Sequence, residues 1–175
     1  MSIELIPFDL EHIEPSWGWL LEYPKHNFDD FGPKCIEDWT KLCACRVQDE
    51  GELTFTVTLD GEAVGIIGVT WPGGRLAVMH GICFARRVHG KGIAAEAMRR
   101  LISQLFASGV ERIEAYSLAG NLRVHRFLTK LGFHQEGILR QRTVQNGKRI
   151  DVRLSAALAP TRVAVEQPSM QEVLQ

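Results

Sequence analysis

The sequence predicts one mixed α/β (α+β) domain built on a largely antiparallel sheet, and three observations carry that prediction. Residues 53–59 alternate apolar and polar side chains and run through Asp60-Gly61 into a second apolar run, the signature of a hairpin. A glycine-bearing loop, HGKG at 89–92, lies between a strand and a long segment of helical periodicity. A second hairpin turns on Asn146-Gly147 near the end of the chain.

Ile3, Leu5 and Phe8 alternate as in a short first strand, and residues 9–22 set Trp17, Leu20 and Leu21 among polar residues as a helix does. YPKHNFDDFGPK, residues 23–34, is rich in turn formers and reads as a loop, a place where binding sites are often shaped, before a helix over 36–49. Strands follow at 53–59, 63–71 and 76–84, the last two joined by WPGGR at 71–75. Gly81 interrupts the third, which predicts a bulge or a close ligand approach. Residues 93–108 carry Ile93, Ala97, Met98, Leu101, Ile102 and Leu105 at helical spacing, and Gly109 supplies a left-handed stop. A strand at 112–118 comes next, then a short helix capped by Asn121 and ended by Gly132, then a hairpin pairing 133–143 with 148–158. The domain is therefore expected to span 1–159. Residues 160–175 form a tail that either frays or packs on a partner, and Val163 and Val165 would suit a strand added to a homodimer partner's sheet.

Composition narrows the function. A net charge of −1 over 175 residues gives no global positive field for nucleic acid or an anionic membrane, and no apolar run is long enough to span a bilayer. Cys35, Cys43, Cys45 and Cys83 form no CxxC pair, so neither a structural metal nor a redox motif is expected. The start lacks a signal peptide's basic flank and apolar stretch, which points to the reduced cytoplasm.

ICFARRVHGKGIAAEAMRRL places its loop at the amino end of a helix, where unpaired N–H groups and the helix dipole hold phosphate oxygens. Gly90 and Gly92 let an anion approach the backbone, and Arg86, Arg87 and Lys91 add positive charge, which suits a pyrophosphate. The same residues fit the dinucleotide fingerprint GxGxxA through Ala95, with Glu111 near the spacing of a ribose-binding acid. A dinucleotide fold, however, opens with its fingerprint strand and continues in parallel units, whereas an antiparallel hairpin precedes this loop.

From about residue 76 to residue 159 the chain resembles the GNAT acyltransferases, and within them the ribosomal-protein-alanine N-terminal acetyltransferases, in HGICFARRVHGKGIAAEA, IEAYSLAGNLRVHRFLTKLGF and EGILRQRTVQNGKRIDVRLSAAL. The resemblance implies a splayed, seven-stranded, mostly antiparallel sheet flanked by helices. It implies acetyl-CoA as cosubstrate and an amine acceptor, either a small molecule or a protein N-terminus. The family loop, Q or R-x-x-G-x-G or A, falls on His89, Gly90, Lys91, Gly92, Ile93 and Ala94, with His89 departing from Gln or Arg. By the same resemblance Cys83 and Phe84 offer backbone groups to the pantetheine arm, Asn121 faces that arm, and Arg87 and Lys130 join the cofactor-binding set.

The acid and base do not carry over. The family's tyrosine donor falls on Leu128, the serine of the ribosomal-protein branch on Val124, and that branch's carboxylate on Thr143. His80 is the leading candidate base, since alternation puts it on the face of Ile82 and Phe84 and imidazole titrates near neutrality. Ser117 and Tyr116 are the candidate proton donors. Cys83 is expected to pack as a small apolar side chain, so the amine attacks the thioester directly. The missing side chains leave a second reading, a noncatalytic CoA-binding module.

Overall fold

In a computed structural model, residues 1–22, 32–49, 51–71 and 74–160 are described. The expectations for the loop at 23–31, for Pro72-Gly73 and for Val163 and Val165 in the tail fall outside them. Among the described residues there are seven strands: β1 (Ile3–Pro7), β2 (Glu52–Leu59), β3 (Glu62–Thr70), β4 (Leu76–Phe84), β5 (Arg112–Leu118), β6 (His134–Gln145) and β7 (Lys148–Leu158). Four helices accompany them: α1 (Ile13–Leu21), α2 (Ile36–Gln48), α3 (Ile93–Ala107) and α4 (Leu122–Lys130).

The strands form one sheet in the order β1-β2-β3-β4-β5-β7-β6, antiparallel throughout except between β4 and β5. That parallel pairing joins only Leu76–Met79 to Arg112–Ala115. Beyond it both strands continue unpaired with each other, β4 to Phe84 and β5 to Leu118, so the sheet opens at its middle.

Apolar periodicity places a core on each face. Ala97, Met98, Leu101 and Leu105 of α3 are fully buried with Val69, Met79, Ile113 and Leu128. Each large side chain buried this way contributes about 1.5–3 kcal/mol. On the other face Trp19 and Leu20 of α1 and Trp39 and Cys43 of α2 pack on Ile66 and Cys83. The two helices are joined at Trp39, whose indole Nε1–H donates to Ser16 Oγ at 2.9 Å.

Two local features differ from the sequence expectation. The helix predicted over 9–22 begins as a 3-10 turn at Leu10–His12, because the Asp9 side chain accepts from the N–H of Leu10 while His12 Nδ1 accepts from that of Asp9, tightening the first turn. The second bears on the site. His80 pairs with Gly68 and Cys83 with Ile66, so three steps along β4 match two along β3. The extra residue is Gly81, held at φ +57°, a left-handed conformation natural to glycine. This bulge corrects the face predicted for His80. Ile82 and Phe84 pack with the α3 core, whereas His80 lies with Cys83 on the α1–α2 face.

Candidate active site

Where β4 and β5 part, a cavity of about 440 Å³ opens between them. Gly81, Ser117, Asn121, Val124, Leu128 and Thr143 are among its walls, so the three positions aligned with the missing family acids and base do surround the gap. Leu20 of α1 also lines it, which carries the cavity through to the α1–α2 face.

The edge of β4 beside the gap is free to bind an extended chain. Ala85 N–H donates to Val64 O, toward β3. Antiparallel alternation then turns the peptide groups of Cys83 to β3 and those of Ile82 and Phe84 to the gap. The gap-facing pair is therefore Ile82 and Phe84, and the thiol of Cys83 is buried in the opposite core. His89 occupies one of these groups: its Nε2–H donates to Phe84 O at 3.0 Å, and its Nδ1 accepts from the guanidinium of Arg123 at the start of α4. A histidine at this loop position thus bridges β4, the loop and α4.

The glycine loop meets the geometry of an anion site. Gly90 and Gly92 take φ +75° and +80°, and Gly92 caps α3 with no side chain occupying the first-turn N–H groups. Nothing lies within 4 Å of where either glycine would carry a Cβ, which leaves the approach open. Lys91 is exposed beside them, Ala94 is half-buried, and Ile93 is buried in the core as the anchor of the helix start. Arg87 is turned away, bound to Glu62 at 2.7 Å. Lys130 is exposed at the far end of α4, about 13 Å along the helix from Asn121. Asn121 caps α4, its Oδ1 accepting from Val124 N–H at 3.2 Å, and it also stands in the cavity wall.

At the reacting end His80 has a partner the sequence did not reveal. Glu52 Oε2 accepts from His80 Nε2–H at 2.8 Å, and its other oxygen accepts from Thr70 Oγ1. Because a carboxylate only accepts, this bond fixes the ring proton on Nε2 and leaves Nδ1 as the lone-pair nitrogen. Nδ1 is buried without a hydrogen-bond partner. Gly68 makes room for the ring, since a Cβ there would lie 2.4 Å from His80 Cε1. Burial depresses the imidazole below its usual range, the charge of Arg46 adds to this, and Glu52 opposes it. The net direction favours the neutral, proton-accepting form near pH 7.

The two donor candidates separate. Ser117 Oγ is buried in the cavity wall without a partner. Tyr116 is 45% exposed and donates to Glu114 Oε2 at 2.7 Å, which raises its hydroxyl above the ordinary tyrosine range. Burial pushes Cys83 up to about 12, so no thiolate is available there. Among the described residues no group of His, Cys, Asp or Glu could hold a metal ion.

A sheet split between parallel central strands, a bulge at the split and a phosphate-type loop at the following helix define a class of acyl-CoA-dependent transferases. The family model described as "Acetyltransferase (GNAT) family" matches residues 13–133, and the chain belongs to that family. It is 40% identical over 79 residues to "Probable N-acetyltransferase YjcK" and 36% identical over 70 residues to "Uncharacterized N-acetyltransferase YoaA", both of Bacillus subtilis strain 168. These matches span 44% and 40% of those relatives and 44% and 39% of this chain. A solved spermidine N-acetyltransferase of Vibrio cholerae, in complex with CoA and spermine, superposes with a TM-score of 0.77 at 18% identity, over 90% of this chain and 95% of that one. A chimera of the Vibrio enzyme superposes at 0.79, over 91% and 96%. At that identity the likeness speaks to the fold. The narrower likeness to ribosomal-protein acetyltransferases rests on the sequence stretches alone.

Proposed function

We propose that the protein transfers an acetyl group from acetyl-CoA to a primary amine by direct attack, with His80 as general base. The observation that carries this is the cavity between β4 and β5, whose wall holds His80, bonded to Glu52, beside the bulge at Gly81; the glycine loop follows β4 along the chain and opens α3. The pantetheine arm would run along the open edge at Ile82 and Phe84, with the pyrophosphate on the loop at 89–94. The His80 ring, which lines the cavity, takes the amine proton on Nδ1 once it turns that nitrogen from Gly68 toward the acceptor, as the nitrogen–carbon bond forms, and a gap-facing N–H beyond the bulge stabilises the oxyanion. When the carbon–sulfur bond breaks, Ser117 Oγ is placed to protonate the departing thiolate. The acceptor is an amine on a small molecule or a protein N-terminus, the latter suggested by the ribosomal-protein likeness. Four unpaired cysteines fit a reduced cytoplasm.

A titratable dyad at the bulge favours catalysis over the noncatalytic alternative, since a mere CoA holder has no use for an oriented imidazole. The test is thermal unfolding with acetyl-CoA, CoA and NAD, followed by an amine screen that reads free thiol. Ligand at a hundred times its Kd adds about 2.7 kcal/mol of apparent stability. Stabilisation by both CoA species, none by NAD, and turnover lost in His80→Ala are expected. Stabilisation by NAD alone overturns the proposal, and CoA binding with no amine turned over restores the noncatalytic reading.

A further inference from the structure

The α1–α2 mouth of the cavity has a charge pattern at odds with the nearly neutral whole. Among the described residues, every carboxylate near the bulge is engaged. Glu52 holds His80 and Thr70, Glu22 accepts the N–H of Arg86 at 2.7 Å, and Glu114 binds Arg112 at 2.8 Å and Tyr116 at 2.7 Å. The side chains of two arginines, Arg46 at the bulge and Arg142 in the cavity wall, make no hydrogen bond or ion pair with any described residue. Arg46 projects from the last turn of α2, and its Nη1 lies 3.6 Å from where a Cβ on Gly81 would stand, so the guanidinium sits over the bulge. Arg142 of β6 lines the cavity, close enough for its charge to act on the Tyr116 hydroxyl. A cation in a last helical turn commonly serves the helix dipole. Arg46 instead reaches across to β4, and α2 ends with a backbone bond from Asp49 N–H to Arg46 O. Arg46 stands at Gly81, before Phe84, whereas the glycine loop follows Phe84 along the chain.

We infer that the acceptor amine carries a carboxylate, received by Arg46 over the bulge, with Arg142 adding its charge from the cavity wall; the inference rests on the acetyl-transfer reading above. A guanidinium fork matches a carboxylate with two parallel hydrogen bonds. In an amino acid the amine lies one carbon from that carboxylate, so a grip at Arg46 sets the nitrogen at the bulge, beside His80. A polyamine has no group for the guanidiniums and brings like charge against them.

The test compares matched pairs that differ only in the carboxylate, phenylalanine with phenethylamine and histidine with histamine, and includes spermidine. The acid of each pair should show at least a tenfold higher kcat/KM, mainly through KM. Arg46→Gln should bring the ratio within each pair toward one, Arg46→Lys should restore part of it, and Arg142→Gln should reduce it less. In parallel, melting shifts of the CoA-bound protein with N-acetylphenylalanine and N-acetylphenethylamine read the same preference without turnover. If CoA stabilises the protein but neither readout prefers the carboxylate, or if spermidine is the best acceptor, the inference is overturned while the acetyl-transfer reading stands. Absence of any CoA shift overturns both.

Discussion

His80 does its proposed work only as a neutral base, so its environment dictates a pH profile. Burial first, then Arg46, lowers its pKa below the ordinary histidine value, and Glu52 partly restores it. kcat/KM should therefore be lost as pH falls through a value below the ordinary histidine range. Glu52→Gln removes the restoring charge and should move that acid limb lower still, while cutting the plateau by about tenfold or more through loss of ring orientation. A pH–rate series on the two proteins checks both effects; an acid limb that stays put in Glu52→Gln would remove Glu52 from the mechanism. Linkage gives the same sign for folding: the stability held by a neutral His80 is complete above the unfolded value and is lost as pH falls through the folded one. The thiols supply a separate check on direct attack. Cys43 and Cys83 are buried and pushed up to about 11 and about 12, whereas Cys35 and Cys45 are exposed. In the native protein a thiol reagent should modify only the exposed pair, and all four after unfolding. No acetyl group should remain on the protein after incubation with acetyl-CoA, as intact-mass measurement would show. Of these residues, His80 stands out in the sequence as a titratable group in an apolar strand. Glu52 does not, because it lies 28 positions away and reads as one more polar member of an alternating strand. Only the register of β2 against β3 and β3 against β4 brings the two together.

The bulged pair of β3 and β4 is the element on which the site depends, and two glycines of β3 shape it by leaving space. Gly65 lies under Phe84 on one face, and a Cβ there would meet Phe84 Cδ1 at 2.3 Å; Gly68 lies under His80 on the other. Gly68→Ala should destabilise by about 1–3 kcal/mol through overpacking and should also displace the ring from Glu52. Because the clash is with His80 itself, Gly68→Ala placed in a His80→Ala background should cost much less. A double-mutant cycle by denaturant unfolding measures this coupling. If the two costs simply add, the strain lies elsewhere in the strand. The strands and helices themselves are legible in the sequence because alternation, helical spacing and turn pairs such as Asp60-Gly61 and Asn146-Gly147 are local signals. Gly81 marks the bulge equally well. What the bulge does to the side chains beyond it is not local: one inserted residue reverses the alternation, which is why His80 parts from Ile82 and Phe84.

At the scale of the whole molecule, the sheet comprises two halves joined by a four-residue parallel ladder, Leu76–Met79 on Arg112–Ala115, and by α3, whose buried face spans both. The open end leaves gap-facing peptide groups on β4 beyond the bulge without a strand to pair with. That arrangement is costly in an isolated sheet, since edge groups need partners. A ligand arm lying along β4 would supply them and would also tie the halves together through α4. Hydrogen exchange should locate this directly. With CoA bound, protection should rise at the gap-facing amides of Ile82 and Phe84 and at the first turn of α3, around Ile93 and Ala94. The β1–β2 pair, which contributes no residue to the cavity walls, should change little. Ile82 and Phe84 alternate with Cys83, whose amide is already committed to β3, so the pattern expected along this stretch is gain, no gain, gain. Uniform protection of β4 would signify general tightening, and protection confined to the loop would mean that the anion binds without the arm entering the sheet.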